Sequence, residues 1–305
     1  MRGVAEPLVA RDWTRAIRPP TPVARVLTAP LVAGALGRYL AYGLIFLIFT
    51  VPFVWMALGA FRNEQEIFRY VSPLQIRTFV PVEWTLQNFV EIFRLGFGRF
   101  LLNSIAVSSA VVASSLIFNT MAAYFFARLE FPLKGVLFVL VIATMLVPFE
   151  ATIVPLYLVV RVLGLQDSYA GLIVPWYASP FVIFALAQFF REIPRELDEA
   201  AIIDGCGRLG VLRHVIVPNA VPALVTMALL EFQNIWNLFF WPLIVTSKPE
   251  LMVIQVEIVT NTSPEQIYWG RTFASSVLAS LPVIMLFLSL QRYYIRGAVL
   301  SGLKG

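Results

Sequence analysis

The sequence predicts an all-α membrane protein with six transmembrane helices and both termini in the cytoplasm. Three observations carry that expectation. Of 305 residues, 59% are hydrophobic and 13% charged, against roughly 25% charged in soluble domains. The apolar residues gather into runs of about 20, the length that crosses ~30 Å of hydrocarbon at 1.5 Å per residue. Lys and Arg are shared unevenly between alternate connections, as the positive-inside rule requires.

Residues 1–38 are polar and irregular, with six arginines and prolines at 19, 20, 22 and 30. They read as a cytoplasmic, partly disordered tail. Residues 39–305 then form the transmembrane domain. Spans are expected at about 40–61, 100–126, 135–157, 169–190, 220–245 and 273–294. Prolines 52, 148, 155, 175, 180, 242 and 282 fall inside them. In a bundle the carbonyls they free find other partners, so kinks are expected rather than ends.

With the N-terminus inside, cytoplasmic pieces hold fifteen Lys and Arg and external pieces eight. The external connection at 62–99 is long enough for one or two short amphipathic helices along the surface. Asn261-Thr-Ser matches a glycosylation acceptor, a pattern common by chance. One cysteine and one histidine exclude a disulfide framework, a cysteine-based zinc site and a histidine relay. No basic, aromatic-interleaved surface exists for nucleic acid. No nucleophile–base pair suggests an enzyme.

The polar segment at 191–219 is the anomaly. It carries nine charged residues between positions 191 and 213. Pro194 suits a first helical turn, and Glu196, Asp198 and Glu199 fall where the helix dipole favours negative charge. Leu197, Ala200, Ala201 and Asp204 share one helical face. Gly205 and Gly207 then break the helix, and Leu209, Leu212, Val215 and Ile216 form a second amphipathic stretch up to Pro218. Two readings stand at this point: a helical connector between spans four and five, or a docking element for a soluble partner. A nucleotide loop at Gly205–Gly207 is excluded, because no strand precedes it and no Lys-Ser/Thr follows.

Glu199-Ala-Ala-Ile-Ile-Asp-Gly-Cys-Gly207, with Pro218 eleven residues on, resembles the EAA loop of ABC importer permeases. Leu165-Gln-Asp-Ser-Tyr-Ala-Gly-Leu-Ile-Val-Pro175, Trp236-Asn-Leu-Phe-Phe-Trp-Pro-Leu243 and the ending Gln291–Gly305 are similar to the carbohydrate branch. Within it they resemble the six-span, maltose-type subunit. The resemblance covers about 40–305 and implies the type I (MetI-like) permease fold. It implies a non-catalytic subunit of the bacterial inner membrane that imports sugars or related polyols. Its partners would be a second permease, two cytoplasmic ATPase subunits that bind the ATP, and an external solute-binding protein. Glu199, Ala200, Ala201, Asp204, Gly205 and Gly207 would form the ATPase-coupling contact. Cys206 departs from the alanine usual there.

Two carboxylates lie inside expected spans, where ionisable groups are costly and face the bundle interior. Glu231 falls near the midplane of span five, and Asn234, Asn237 and Trp241 continue its stripe. A carboxylate, two amides and an aromatic face suit sugar hydroxyls and rings. Either this stripe lines the transport path or it hydrogen-bonds neighbouring helices. Glu150, toward the outer half of span three, reads as a solvated or paired carboxylate near a kink. The rival class is a self-contained secondary transporter or channel. That class shows internal repeats and buried ionisable networks, and this sequence offers little of either.

Overall fold

The computed structural model describes residues 29–72, 75–260 and 267–302. Every regular element among them is helical. The chain divides at Phe53/Val54 into two units. Helix α1, Ala29–Gly59, begins eleven residues before the expected Leu40, because the stretch Ala29–Leu36 is rich in strong helix formers. The expected tail boundary at 38 therefore falls inside a helix. Residues 1–28 and Asn261 lie outside the described residues. From Tyr39 to Phe49 the apolar side chains of α1 are exposed, which suits a surface in contact with lipid.

The second unit contains α2 (Gln87–Arg94), α3 (Phe97–Arg128), α4 (Lys134–Ala143), α5 (Phe149–Val162), α6 (Tyr169–Ile173) and α7 (Pro180–Glu192). These are followed by α8 (Arg195–Ile203), α9 (Arg208–Val211), α10 (Val217–Asn219), α11 (Val221–Trp236), α12 (Phe240–Val245), α13 (Ile254–Thr260) and α14 (Trp269–Gly302). The expected surface helices of 62–99 appear as two single turns, Glu64–Glu66 and Ile76–Thr78, and α2.

Among the described residues, three helices are long and apolar enough to cross a membrane by themselves: Gly37–Gly59, Phe97–Arg128 and Trp269–Gln291. Three bent pairs raise the count to six if each pair is one span. Lys134–Leu146 meets Phe149–Val162 at 104°, Tyr169–Trp176 meets Pro180–Glu192 at 42°, and Arg208–Asn219 meets Val221–Trp236 at 80°. The expectation that prolines only kink holds at Pro52, Pro155 and Pro282, inside continuous helices. It fails at Pro148 and Pro180. Val147 and Ser179, the residues before them, are extended (ψ 116° and 107°), a conformation that the proline ring favours over the helical one for the residue before it.

Helix α3 forms the centre, packed on α7, α11, α13 and α6. Its buried face is built from small residues, including Ser104, Ser108, Ser115, Ala123 and Ala127, which let neighbouring backbones approach closely. Two buried amides tie it to the loops. The Asn103 amide donates to the carbonyls of Glu250 (2.8 Å) and Met252 (2.9 Å), and its oxygen accepts from the Tyr169 hydroxyl (2.8 Å). The Asn119 amide donates to Ser115 Oγ (2.6 Å), and its oxygen accepts from the Ser179 N–H (3.1 Å). Near the Phe97 end of α3, Glu64 accepts from the Trp269 and Gly270 N–H groups at 2.7 and 2.9 Å. It thereby satisfies open donors at the start of α14.

Span five departs most from expectation. The sequence predicts a span running to about 245, yet α11 stops at Trp236 and α12 starts at Phe240. Pro242 would clash with the carbonyl of Leu238 in a continued helix, and the Asn237 side chain folds back onto the Gln233 carbonyl (2.8 Å). Trp241 is fully buried and donates from Nε1 to the Gly171 carbonyl at 3.0 Å. A Cβ on Gly171 would sit 2.3 Å from the Leu165 carbonyl oxygen. Gly171→Ala is therefore expected to destabilise the protein by about 1–3 kcal/mol, the usual range for overpacking. Thermal unfolding of the detergent-purified protein tests this, and an unchanged midpoint would contradict it.

Candidate functional site

The segment after α7 folds as two short helices around a tight turn. Ile193 and Pro194 are extended, and α8 opens with Glu196 and Asp198 in its first turn. At its end the Cys206 N–H donates to the Ala201 carbonyl (2.9 Å) and the Gly205 N–H to the Ile202 carbonyl (3.0 Å). These two bonds define a Schellman motif, which needs a left-handed residue after the cap. Gly205 supplies it with φ +89°. Gly207 sits at φ −74° and caps α9. A π turn over Leu212–Ile216 links α9 to α10.

The residues that the sequence placed in the coupling contact share this hairpin but not one surface. Glu199, Ala200, Asp204, Gly205 and Gly207 are exposed. Ala201 turns inward and packs with Cys206 against a core that includes Phe190, Val211, Leu212 and Ile216. The outward surface is more apolar than the helical wheel suggested. Ile203 is 86% exposed, and Leu209 and Ile202 are also exposed. Sequence reasoning passed over Ile202 and Ile203 because they fall off the Leu197–Ala200–Ala201 stripe.

Sequence reasoning also missed the tie between this hairpin and the membrane. Arg128, the last residue of α3, places Nε 3.2 Å from Asp198 Oδ2, the two side chains being 3% and 14% exposed. A second guanidinium nitrogen donates to the Ile193 carbonyl at 2.6 Å. Arg128 thus grips both the entry to α8 and its first turn. Burial pushes the Asp198 carboxyl above its ordinary value, while Arg128 and Arg195 pull it back. Desolvation outweighs the pairing. Beside this pair lies a cavity of about 190 Å³, lined in part by Tyr124, Arg195, Glu199 and Arg208.

The stripe proposed for the transport path is divided. Asn234 and Asn237 line an open cavity of about 520 Å³, joined by Gln233, Glu150, Phe239 and Phe240. Glu231 lies elsewhere. It is buried within hydrogen-bonding reach of Ser179 and Ser115, and so ties α11 to α7 and α3. Trp241, on α12, holds α6. Glu150, expected as a solvated or paired carboxylate near a kink, is exposed in the first turn of α5 just after the bend, and it lines the same cavity. The 104° break before α5 brings it there, and no periodicity in the sequence signals that bend.

Apolar helices, a cavity with four polar side chains at the end of α11 and a charged hairpin gripped by α3 fit a membrane transport subunit. The chain belongs to the family of binding-protein-dependent transport system inner membrane components, which matches residues 115–299. It is similar to the probable ABC transporter permease protein YurM of Bacillus subtilis, 32% identical over 83% of each chain. It is also similar to the arabinooligosaccharides transport system permease protein AraQ of Halalkalibacterium halodurans. That match is 31% identical over 91% of this chain and 99% of the relative. Among solved structures, a chain of a bacterial ABC transporter involved in the import of the acidic polysaccharide alginate matches with TM-score 0.76. It is 23% identical, over 88% of this chain and 98% of that one, which supports the MetI-like permease fold.

Proposed function

We propose that this chain forms one half of the translocation path of an ATP-driven importer of sugars or related polyols. It is a multi-pass subunit of a bacterial inner membrane with both termini inside. Solute arrives on an external binding protein, and a second permease closes the other half of the path. Two cytoplasmic ATPase subunits bind the ATP. The α8–α9 hairpin docks on them through Glu199, Ala200, Asp204, Gly205 and Gly207, with Ala201 packed behind that surface, and Ile203 is added to it. The observation that carries this reading is the hairpin itself. An isoleucine left 86% exposed beside a tight glycine turn gains only when another body covers it.

The amides of Gln233, Asn234 and Asn237 support the transport half of the proposal. All three are exposed, Gln233 and Asn234 in the last turn of α11 and Asn237 as its C-cap, and amides facing lipid tails are unfavourable. That face therefore lines water or a second subunit. Reconstitution tests the whole reading. In proteoliposomes, uptake is expected only when ATPase, partner permease and binding protein are all present. Uptake by this chain without any ATPase would overturn the importer and favour a gradient-driven carrier.

A further inference from the structure

We infer that the 520 Å³ cavity between α5 and α11 selects uncharged, hydroxyl-rich solutes and rejects anionic ones, with Glu150 acting as its charge filter. This deepens the proposed importer reading and rests on it. Among the residues lining the cavity Glu150 is the one ionisable side chain, and neither Lys, Arg nor His is present. Sites that hold phosphate, sulfonate or uronate groups use cationic donors, arginine above all. Here an anion would meet a carboxylate instead. Arg161, at the far end of α5, lies eleven residues away, roughly 16 Å along the helix at 1.5 Å per residue.

The remaining polar groups suit neutral hydroxyls. The Asn237 amide nitrogen is engaged by the Gln233 carbonyl at 2.8 Å, which leaves its oxygen as an acceptor. The side chains of Gln233 and Asn234 carry no hydrogen bond among the described residues, so each offers donors and an acceptor. A sugar hydroxyl also both donates and accepts, and it pairs with such groups without bringing charge. Phe239 and Phe240, with ring centres 5.3 Å apart, add apolar faces for the C–H side of a sugar ring. Glu150 tolerates its position because it sits in the first turn of α5, where the helix dipole favours negative charge.

The distinction has content within this family. Of the two relatives described, one is named for arabinooligosaccharides and the solved neighbour for an acidic polysaccharide. The cavity places this chain with carriers of the first charge class.

The test is uptake by the complete reconstituted importer, comparing neutral arabinose and maltose oligomers with galacturonate oligomers and glycerol 3-phosphate. Neutral solutes are expected to lead. Glu150→Gln lowers the neutral-to-anionic uptake ratio by roughly tenfold, the size of one charge repulsion across such a cavity at intermediate dielectric. Glu150→Lys lowers it further. An unchanged ratio in both variants overturns the charge filter while leaving the importer intact, as does wild-type uptake that favours the anions. ATP-independent uptake of either class instead sinks the importer reading and the inference with it.

Discussion

Gly205→Pro is expected to reach the membrane in normal amounts and to lose its association with the ATPase in co-purification. Proline is confined near φ −65° and has no N–H, whereas Gly205 sits at φ +89° and donates to Ile202. The Schellman turn cannot form around it, and α8 and α9 lose their angle. Gly205→Ala keeps the N–H but bears left-handed strain of about 1–2 kcal/mol, enough to weaken docking roughly tenfold. Gly207→Ala is the informative comparison. A Cβ at either glycine meets nothing within 4 Å, but Gly207 has an ordinary φ of −74°. The alanine variants therefore differ in strain while both add a methyl near the docking surface. Retained association in Gly205→Pro sinks the docking claim, and equal losses in the two alanine variants would put the effect in surface contact instead of the turn.

The second large effect is expected at the Arg128–Asp198 pair. Breaking a buried pair by removing one partner costs about 3–5 kcal/mol. The two halves are not equivalent. If Arg128 is replaced by methionine, Asp198 can relieve its burial by taking up a proton, toward which its raised pKa already leans. If Asp198 becomes asparagine, a guanidinium 3% exposed stays charged without its carboxylate, since arginine does not deprotonate in proteins. Asp198→Asn should therefore lower the thermal midpoint more than Arg128→Met. The double replacement Arg128→Met with Asp198→Leu should recover most of the loss in Asp198→Asn, because apolar substitutes for a buried pair are often neutral or better. A double variant as unstable as Asp198→Asn would show that the pair stabilises through more than mutual compensation.

The pH sign follows from the same carboxyl. A group whose folded pKa is raised adds stability that is full below its ordinary value of 3.8 and is lost as pH rises through the folded value. Asp198 thus favours the fold on acidification, opposite to a carboxylate held mainly by its cation. Removing it should flatten the acid side of the stability profile.

What the sequence disclosed follows from continuity. Spans at α1, α3 and α14 are single apolar helices, and composition located each of them, although α1 begins earlier than expected. The glycine turn was legible too, because only a residue free to adopt positive φ fits after α8. The bent spans were not. Whether Pro148 kinks or breaks a helix depends on tertiary partners for the freed backbone, and those partners lie far away in the chain. The same gap misplaced Trp241, whose helical spacing from Asn237 lapsed once α11 stopped at Trp236. Arg128 was missed because its partner Asp198 is 70 positions on, and a basic residue at a span end reads first as a topology signal.

The bent pairs also bear on how the protein is made. Neither Lys134–Ala143, with 10 residues, nor Phe149–Val162, with 14, reaches the ~20 apolar residues that cross a bilayer unaided. The long helices meet that length by themselves, so each is expected to insert as an autonomous unit. At one of the breaks, between α6 and α7, α3 supplies the partner: the Asn119 side chain donates to the Tyr177 carbonyl (3.3 Å) and accepts from the Ser179 N–H (3.1 Å). A half-span of that kind is expected to depend on α3 being in place before it settles across the bilayer.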